Sequence, residues 1–355
     1  MSLKRFLFIV CLCSSVALFS QYRKIGGVNF ASAEHGPQPE SGIPALKRIN
    51  ANWVALTPFA YMDDKTDPKI HFRTERNWWA DIPENMESVI LDARKFGMKL
   101  MLKPHFWVEG SGWAGTLTFD EAGWLEWEKN YEVFILEMAD LAQRHKMEMF
   151  CFATELKSVV KNRPEFMDAI IKKIRERYKG KLLYAANWDD YHRIPFWDQL
   201  DYIGVDAYFP VTESVTPSVE EVRTIWRDFA LQLRDFSYKK RKQIIFTEYG
   251  YRSIDKPVWK QWEIEWVSDS LNVNLQAQVN SYEGLFQAIW DEPWFAGGFL
   301  WKWYPEKVHY TGLVANSDYT PQQKPAEKTI RKWYSKEYTY ELQRKRTENW
   351  LNQTR

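Results

Sequence analysis

Apolar residues in this chain fall into short continuous runs, and stretches with helical spacing separate them. A short unbroken apolar run reads as a strand buried on both faces, the kind found in parallel sheets covered by helices. The runs are Lys24–Phe30, Asn52–Ala60, Met98–Phe106, Met149–Glu155, Lys181–Asn187, Tyr202–Phe209, Gln243–Glu248 and Phe295–Trp303. Pro44–Asn50 reads as a short helix. Pro83 suits a first helical turn, Met86, Val89, Ile90, Ala93 and Phe96 follow on one face, and Gly97 supplies the stop. Thr118 and Glu121 have capping-box spacing ahead of the apolar face that runs from Trp124 to Leu141. Pro164 opens a further helix, Val222 to Leu233 and Gln276 to Trp290 lie on two more, and the tail from Lys324 supplies a closing one. A helical pattern after every strand, with no sustained hairpin signal, predicts an α/β fold: a single-domain (β/α)8 TIM barrel.

The N-terminus departs from this alternation. Lys4 and Arg5 precede an apolar stretch from Phe6 to Phe19, and the small Ser20 stands before Gln21. This is the layout of a secretory signal over residues 1–20, which leaves 21–355 as the barrel domain. The stretch is short for a bilayer span and lacks a stop-transfer flank, so the mature chain is expected to be secreted or periplasmic, without stable membrane insertion. Cleavage removes Cys11 and Cys13. Cys151 remains, inside a predicted strand, so neither a disulfide framework nor a cysteine metal site is expected.

Lys and Arg number 48 and Asp and Glu 47, so no charge imbalance points to nucleic acid or an anionic surface. The six His are scattered without HExxH spacing, and neither a metal nor a cofactor is expected. Tryptophan is the compositional outlier, with 19 residues. Trp78 and Trp79 follow the second strand, Trp107 and Trp113 the third, Trp259, Trp262 and Trp266 the seventh, and Trp303 the eighth. A pyranose presents C–H faces that stack on aromatic rings and hydroxyls that need polar neighbours, so this set suggests a sugar cleft.

Two of the runs end on a glutamate, Glu155 on the fourth and Glu248 on the seventh. Carboxylates at the C-terminal ends of barrel strands read as catalytic. A pair of them is what glycosidic hydrolysis requires, one to protonate the leaving oxygen and the other to attack the anomeric carbon.

These glutamates, together with Trp301 near the end of the eighth strand, resemble the clan A glycoside hydrolases. The local wording is similar to glycoside hydrolase family 113, whose known members are β-mannanases. The segments that carry the resemblance are Gly26-Gly27-Val28-Asn29, Leu102-Lys103-Pro104-His105, Ala153-Thr154-Glu155-Leu156, Tyr202 to Tyr208, Phe246-Thr247-Glu248-Tyr249-Gly250 and Gly298-Phe299-Leu300-Trp301. The resemblance implies Glu155 as acid/base, Glu248 as nucleophile and Trp301 as sugar platform. Thr154 stands where much of the clan has Asn against the sugar 2-hydroxyl. Its hydroxyl can donate a hydrogen bond but reaches less far.

Strand-end position adds Asn29, His105, Asn187, Trp188 and Tyr208 as substrate-binding candidates, with Trp113 among the cleft aromatics, and Asp206 lies near the end of the sixth strand. Tyr208 is placed to hydrogen-bond Glu248, and Lys103 to form a buried ion pair. The implied partner is a β-linked polysaccharide or oligosaccharide, cleaved with retention and most consistent with β-1,4-mannan. Two alternatives stay open: another β-glycan such as β-glucan or xylan, or a non-catalytic carbohydrate-binding barrel.

Overall fold

The computed structural model describes residues 21–31, 36–37, 42–75, 77–110, 112–264, 271–305 and 316–339. The expected signal at 1–20, Trp266 and the last residues of the expected domain lie outside these. Eight strands form a closed parallel barrel: β1 (Ile25–Phe30), β2 (Trp53–Leu56), β3 (Lys99–Leu102), β4 (Met149–Thr154), β5 (Lys181–Asn187), β6 (Ile203–Asp206), β7 (Ile244–Tyr249) and β8 (Phe295–Trp303). Each strand pairs with its neighbours in chain order, and β8 closes onto β1. The covering helices are α1 (Ile43–Arg48), α2 (Pro83–Lys95), α3 (Glu121–Arg144), α4 (Lys157–Asn162), α5 (Pro164–Arg177), α6 (Val219–Lys240), α7 (Leu275–Ile289) and α8 (Ala326–Tyr334).

Side chains alternate across each strand, so the barrel has two apolar layers. Ile25, Trp53, Met101, Met149, Ile245 and Phe299 fill the interior. The larger layer lies between sheet and helices, where Val54, Leu100, Phe150 and Phe246 meet Leu46, Ile90, Ile135 and Leu285. The interior is tight at Gly27, where an added Cβ would sit 2.4 Å from the Phe299 ring.

Three sequence expectations are corrected. The second and third apolar runs each break at a proline, Pro58 and Pro104, which has no N–H to give the ladder. The pieces beyond, Phe59–Met62 and His105–Val108, leave the barrel and pair with each other in a separate two-stranded sheet. The N-cap of α3 is Asp120, whose carboxylate accepts from Gly123 N at 2.8 Å, rather than Thr118. After β5 there is no α-helix, only two 3-10 turns at Tyr191–Arg193 and Trp197–Gln199. No helix among the described residues is long and apolar enough to cross a membrane.

Candidate active site

At the C-terminal ends of the strands lies a cavity of about 870 Å³, within the usual range for ligand sites. Glu155 and Glu248 both line it. They arrive by different routes. Glu248 lies inside β7 and is buried, and β7 slips register against both neighbours next to it. Such an irregularity re-aims a side chain. Glu155 follows β4 directly in the left-handed region, with φ 54°, and its N–H is bonded to Ala185 O on β5 at 2.8 Å. A non-glycine residue held there is strained, a condition that clusters at functional sites.

The environments of the two carboxylates differ. Lys103, wholly buried at the end of β3, donates from Nζ to Glu248 Oε1 and lies 3.9 Å from Asp206 Oδ1. Tyr208 O–H donates to Glu248 Oε2 at 2.7 Å. Lys103 Nζ lies 3.0 Å from His105 Nε2. An ammonium can only donate, so Nε2 is the acceptor and the ring proton is on Nδ1. Burial and the neighbouring Lys103 charge hold His105 well below its usual pKa, so the imidazole is neutral. Burial alone would lower Lys103, but Asp206 and Glu248 outweigh it and keep the ammonium above its usual range. Burial, then the charge of Glu248, pushes Tyr208 well up, so the phenol keeps its proton. The same two causes raise Asp206 well above the carboxylate range, although Lys103 opposes them.

Glu155 receives one side-chain hydrogen bond, from Trp113 Nε1 to Oε2 at 2.6 Å. Burial, then repulsion from Glu248, pushes its pKa up to about 7, while the Trp113 bond and Lys103 act in the other direction. Two carboxyl groups in one cavity are therefore driven into different roles: one is held by a cation and a phenol, the other is inclined to keep a proton.

Most of the expected binding residues meet here. His105, Trp113, Thr154, Asn187, Trp188, Tyr208 and Trp301 line the cavity with both glutamates. Trp301 stacks on His105 at 5.5 Å, and its peptide bond to Lys302 is cis. Trp188 lies 6.1 Å from Trp262, and Thr154 Oγ1 has no hydrogen-bond partner. Asn29 is the exception. It is wholly buried and donates from Nδ2 to the carbonyls of Thr247, Phe299 and Leu300, so it braces β1 against β7 and β8 below the cavity.

Of the loop tryptophans, Trp107, Trp113 and Trp262 line the cavity, whereas Trp78, Trp79 and Trp259 do not. Trp303 is buried at the end of β8, where it packs in the core. Sequence reasoning missed Phe59, Glu109, Asp189 and Tyr319 as lining residues. Asp189 follows the Asn187-Trp188 pair directly, a signal that reading on past the strand end would have caught. For Tyr319 no local signal exists. Among the described residues, no group of three or more His, Cys, Asp or Glu is placed to hold a metal.

A closed parallel barrel with two carboxyl groups converging in an aromatic cavity at its C-terminal rim has the architecture of a glycoside hydrolase. The chain belongs to Glycoside Hydrolase Family 113, whose model matches residues 33–324. Solved structures agree on the fold. The family 113 β-mannanase AaManA from Alicyclobacillus acidocaldarius, in complex with ManMIm, is 24% identical with a TM-score of 0.74, over 88% of this chain and 98% of its own. A family 113 β-1,4-mannanase solved as a complex is 22% identical with a TM-score of 0.74, over 89% of this chain and 100% of its own. A β-glucuronidase from Ruminococcus gnavus is more distant, 13% identical with a TM-score of 0.57, over 90% of this chain and 51% of its own. No curated protein sequence matches the chain.

Proposed function

We propose that the chain is a retaining endo-β-1,4-mannanase that works by double displacement, with Glu248 as nucleophile and Glu155 as acid/base. The observation that carries this reading is the divergence of the two carboxyl environments within one cavity. Glu248, bonded to an ammonium and a phenol, attacks the anomeric carbon as a carboxylate. The bond from that carbon to the glycosidic oxygen breaks, and Glu155 gives its proton to the leaving oxygen. Glu155, now anionic, takes a proton from water, whose oxygen displaces Glu248 and restores the configuration. Trp301, Trp188 and Trp262 offer aromatic faces for sugar rings, and Thr154 lines the cavity beside Glu155 with its buried Oγ1 unpartnered. Two solved family 113 relatives are β-1,4-mannanases, which supports mannan as the substrate. The apolar N-terminal stretch supports export of the mature chain.

Hydrolysis of mannan, cellulose and xylan, with the product anomer followed in time by NMR, tests this directly. The expected result is cleavage of mannan with initial release of the β-anomer. Activity on cellulose or xylan alone would replace the substrate, and initial release of the α-anomer would replace the mechanism. E155A and E248A should each lower turnover by about 10³-fold or more while sugar binding persists. Unchanged hydrolysis in either would remove that glutamate from its role.

A further inference from the structure

We propose that Lys103 is a positioning residue that gives the two oxygens of Glu248 separate tasks, anchoring Oε1 and leaving Oε2 to attack, and that it acts mainly in the second chemical step. The inference rests on the double-displacement reading above and deepens it.

The two oxygens are not equivalent. Oε1 accepts from the wholly buried Lys103 ammonium and also lies 3.5 Å from His105 Nε2. Because His105 Nε2 itself accepts from Lys103, it has no proton for Oε1, and the ammonium is the side-chain donor that remains there. Oε2 is bonded to Tyr208, which lines the cavity. The oxygen tied to the barrel interior is therefore Oε1, and the one on the substrate side is Oε2.

When Oε2 bonds to the anomeric carbon, the glycosidic C–O bond breaks and Glu248 loses its negative charge as it becomes an ester. Lys103 then faces a neutral acyl oxygen. Asp206, wholly buried and 3.9 Å from Nζ, is the carboxyl group still beside the ammonium. The Cys151 thiol, pushed up to about 12 by burial, stays neutral and contributes no counter-charge. When water attacks, the C–Oε2 bond breaks and its electron pair returns to the carboxylate. A cation bonded to Oε1 stabilises the charge that develops on this leaving group. In the first step the same cation holds the nucleophile in line but also makes it a weaker base. Loss of Lys103 therefore slows departure of Glu248 more than its attack.

The test uses the full chain and dinitrophenyl β-mannobioside, whose activated leaving group makes the first step fast. In K103M, kcat should fall roughly tenfold or more and KM should fall with it, leaving kcat/KM nearly unchanged. A pre-steady-state burst of one dinitrophenolate per site should accompany this. K103R, which keeps the charge, should recover part of kcat. Thermal melting checks that each variant is folded, and if K103M is not, K103Q, which also removes the charge, reads the same split.

Equal falls in kcat and kcat/KM without a burst would overturn the inference, since they place Lys103 in the first step. Unchanged kinetics in K103M would overturn it too. A wild-type chain inactive on this glycoside and on mannan would sink the function reading and this inference together. An active wild type whose variants lack the split would sink this inference alone.

Discussion

Glu155 shows how much the surroundings of one residue decide its chemistry. Its backbone is held in the left-handed region, a strain of about 1–3 kcal/mol, and its carboxyl is pushed up to about 7, first by burial and then by Glu248. The raised value means that the folded state binds the proton more tightly than the unfolded chain does. The cost is absent below the unfolded value of 4.5, grows through the window up to about 7, and is fully present above it. E155Q should therefore melt higher than wild type at pH 8, by on the order of 1–2 kcal/mol once partial exposure is discounted, and the gap should vanish below pH ~4.5. Calorimetry at both pH values checks this, and a gap that persists at low pH would assign the effect to packing. Trp113 pulls the other way, because its N–H stabilises the charged form. In W113F, Glu155 should titrate higher, so the alkaline limb of kcat/KM should move to higher pH. An unmoved limb, or one moved to lower pH, would show that the Trp113 bond does not set this ionisation.

At the scale of elements, the site depends on where strands stop. Pro58 and Pro104 interrupt the ladders of the second and third runs, and the chain beyond each builds the small sheet that carries Phe59 and His105 into the cavity wall. Helix α3 begins at Asp120 because its carboxylate satisfies the Gly123 N–H, and the Thr118–Glu121 spacing is coincidental. D120A should destabilise the protein by about 1 kcal/mol, whereas T118A, at an exposed position, should stay within ~0.5 kcal/mol. Paired denaturant titrations distinguish the two, and the reverse order would restore Thr118 as the cap. Elements with strong periodicity were readable in the chain. Register and caps were less so, because they depend on which donor the neighbouring backbone leaves unpaired.

At the scale of the molecule, α8 braces the closed barrel from outside. Tyr334 on α8 donates to Gly27 O at 2.6 Å, and its hydroxyl lies 2.6 Å from that of Tyr249 on β7, so it ties the first strand to the seventh from outside. Its ring also packs on Trp290. Truncation after Lys324 removes this buried aromatic layer and should abolish the cooperative unfolding transition. Y334F keeps the ring and should lose only about 1 kcal/mol. Circular dichroism melts report both, and a truncated chain that still melts cooperatively would show that the barrel closes without α8.

The alternation of strands and helices, the barrel class and the two strand-end glutamates are legible in the chain alone, because periodicity and strand order are local properties that survive without knowledge of contacts. The chain also indicates Tyr208 beside Glu248, Lys103 as a buried ion-pair partner and most of the aromatic wall. Packing alone reveals that Asn29 turns to backbone carbonyls rather than to the cavity, that Trp303 belongs to the core, and that Tyr319 and Asp189 reach the site. It also decides which charges surround each glutamate. Burial and electrostatic coupling arise between strands distant in the chain, and no local pattern encodes the distances at which a lysine, a phenol and two carboxyl groups come to rest.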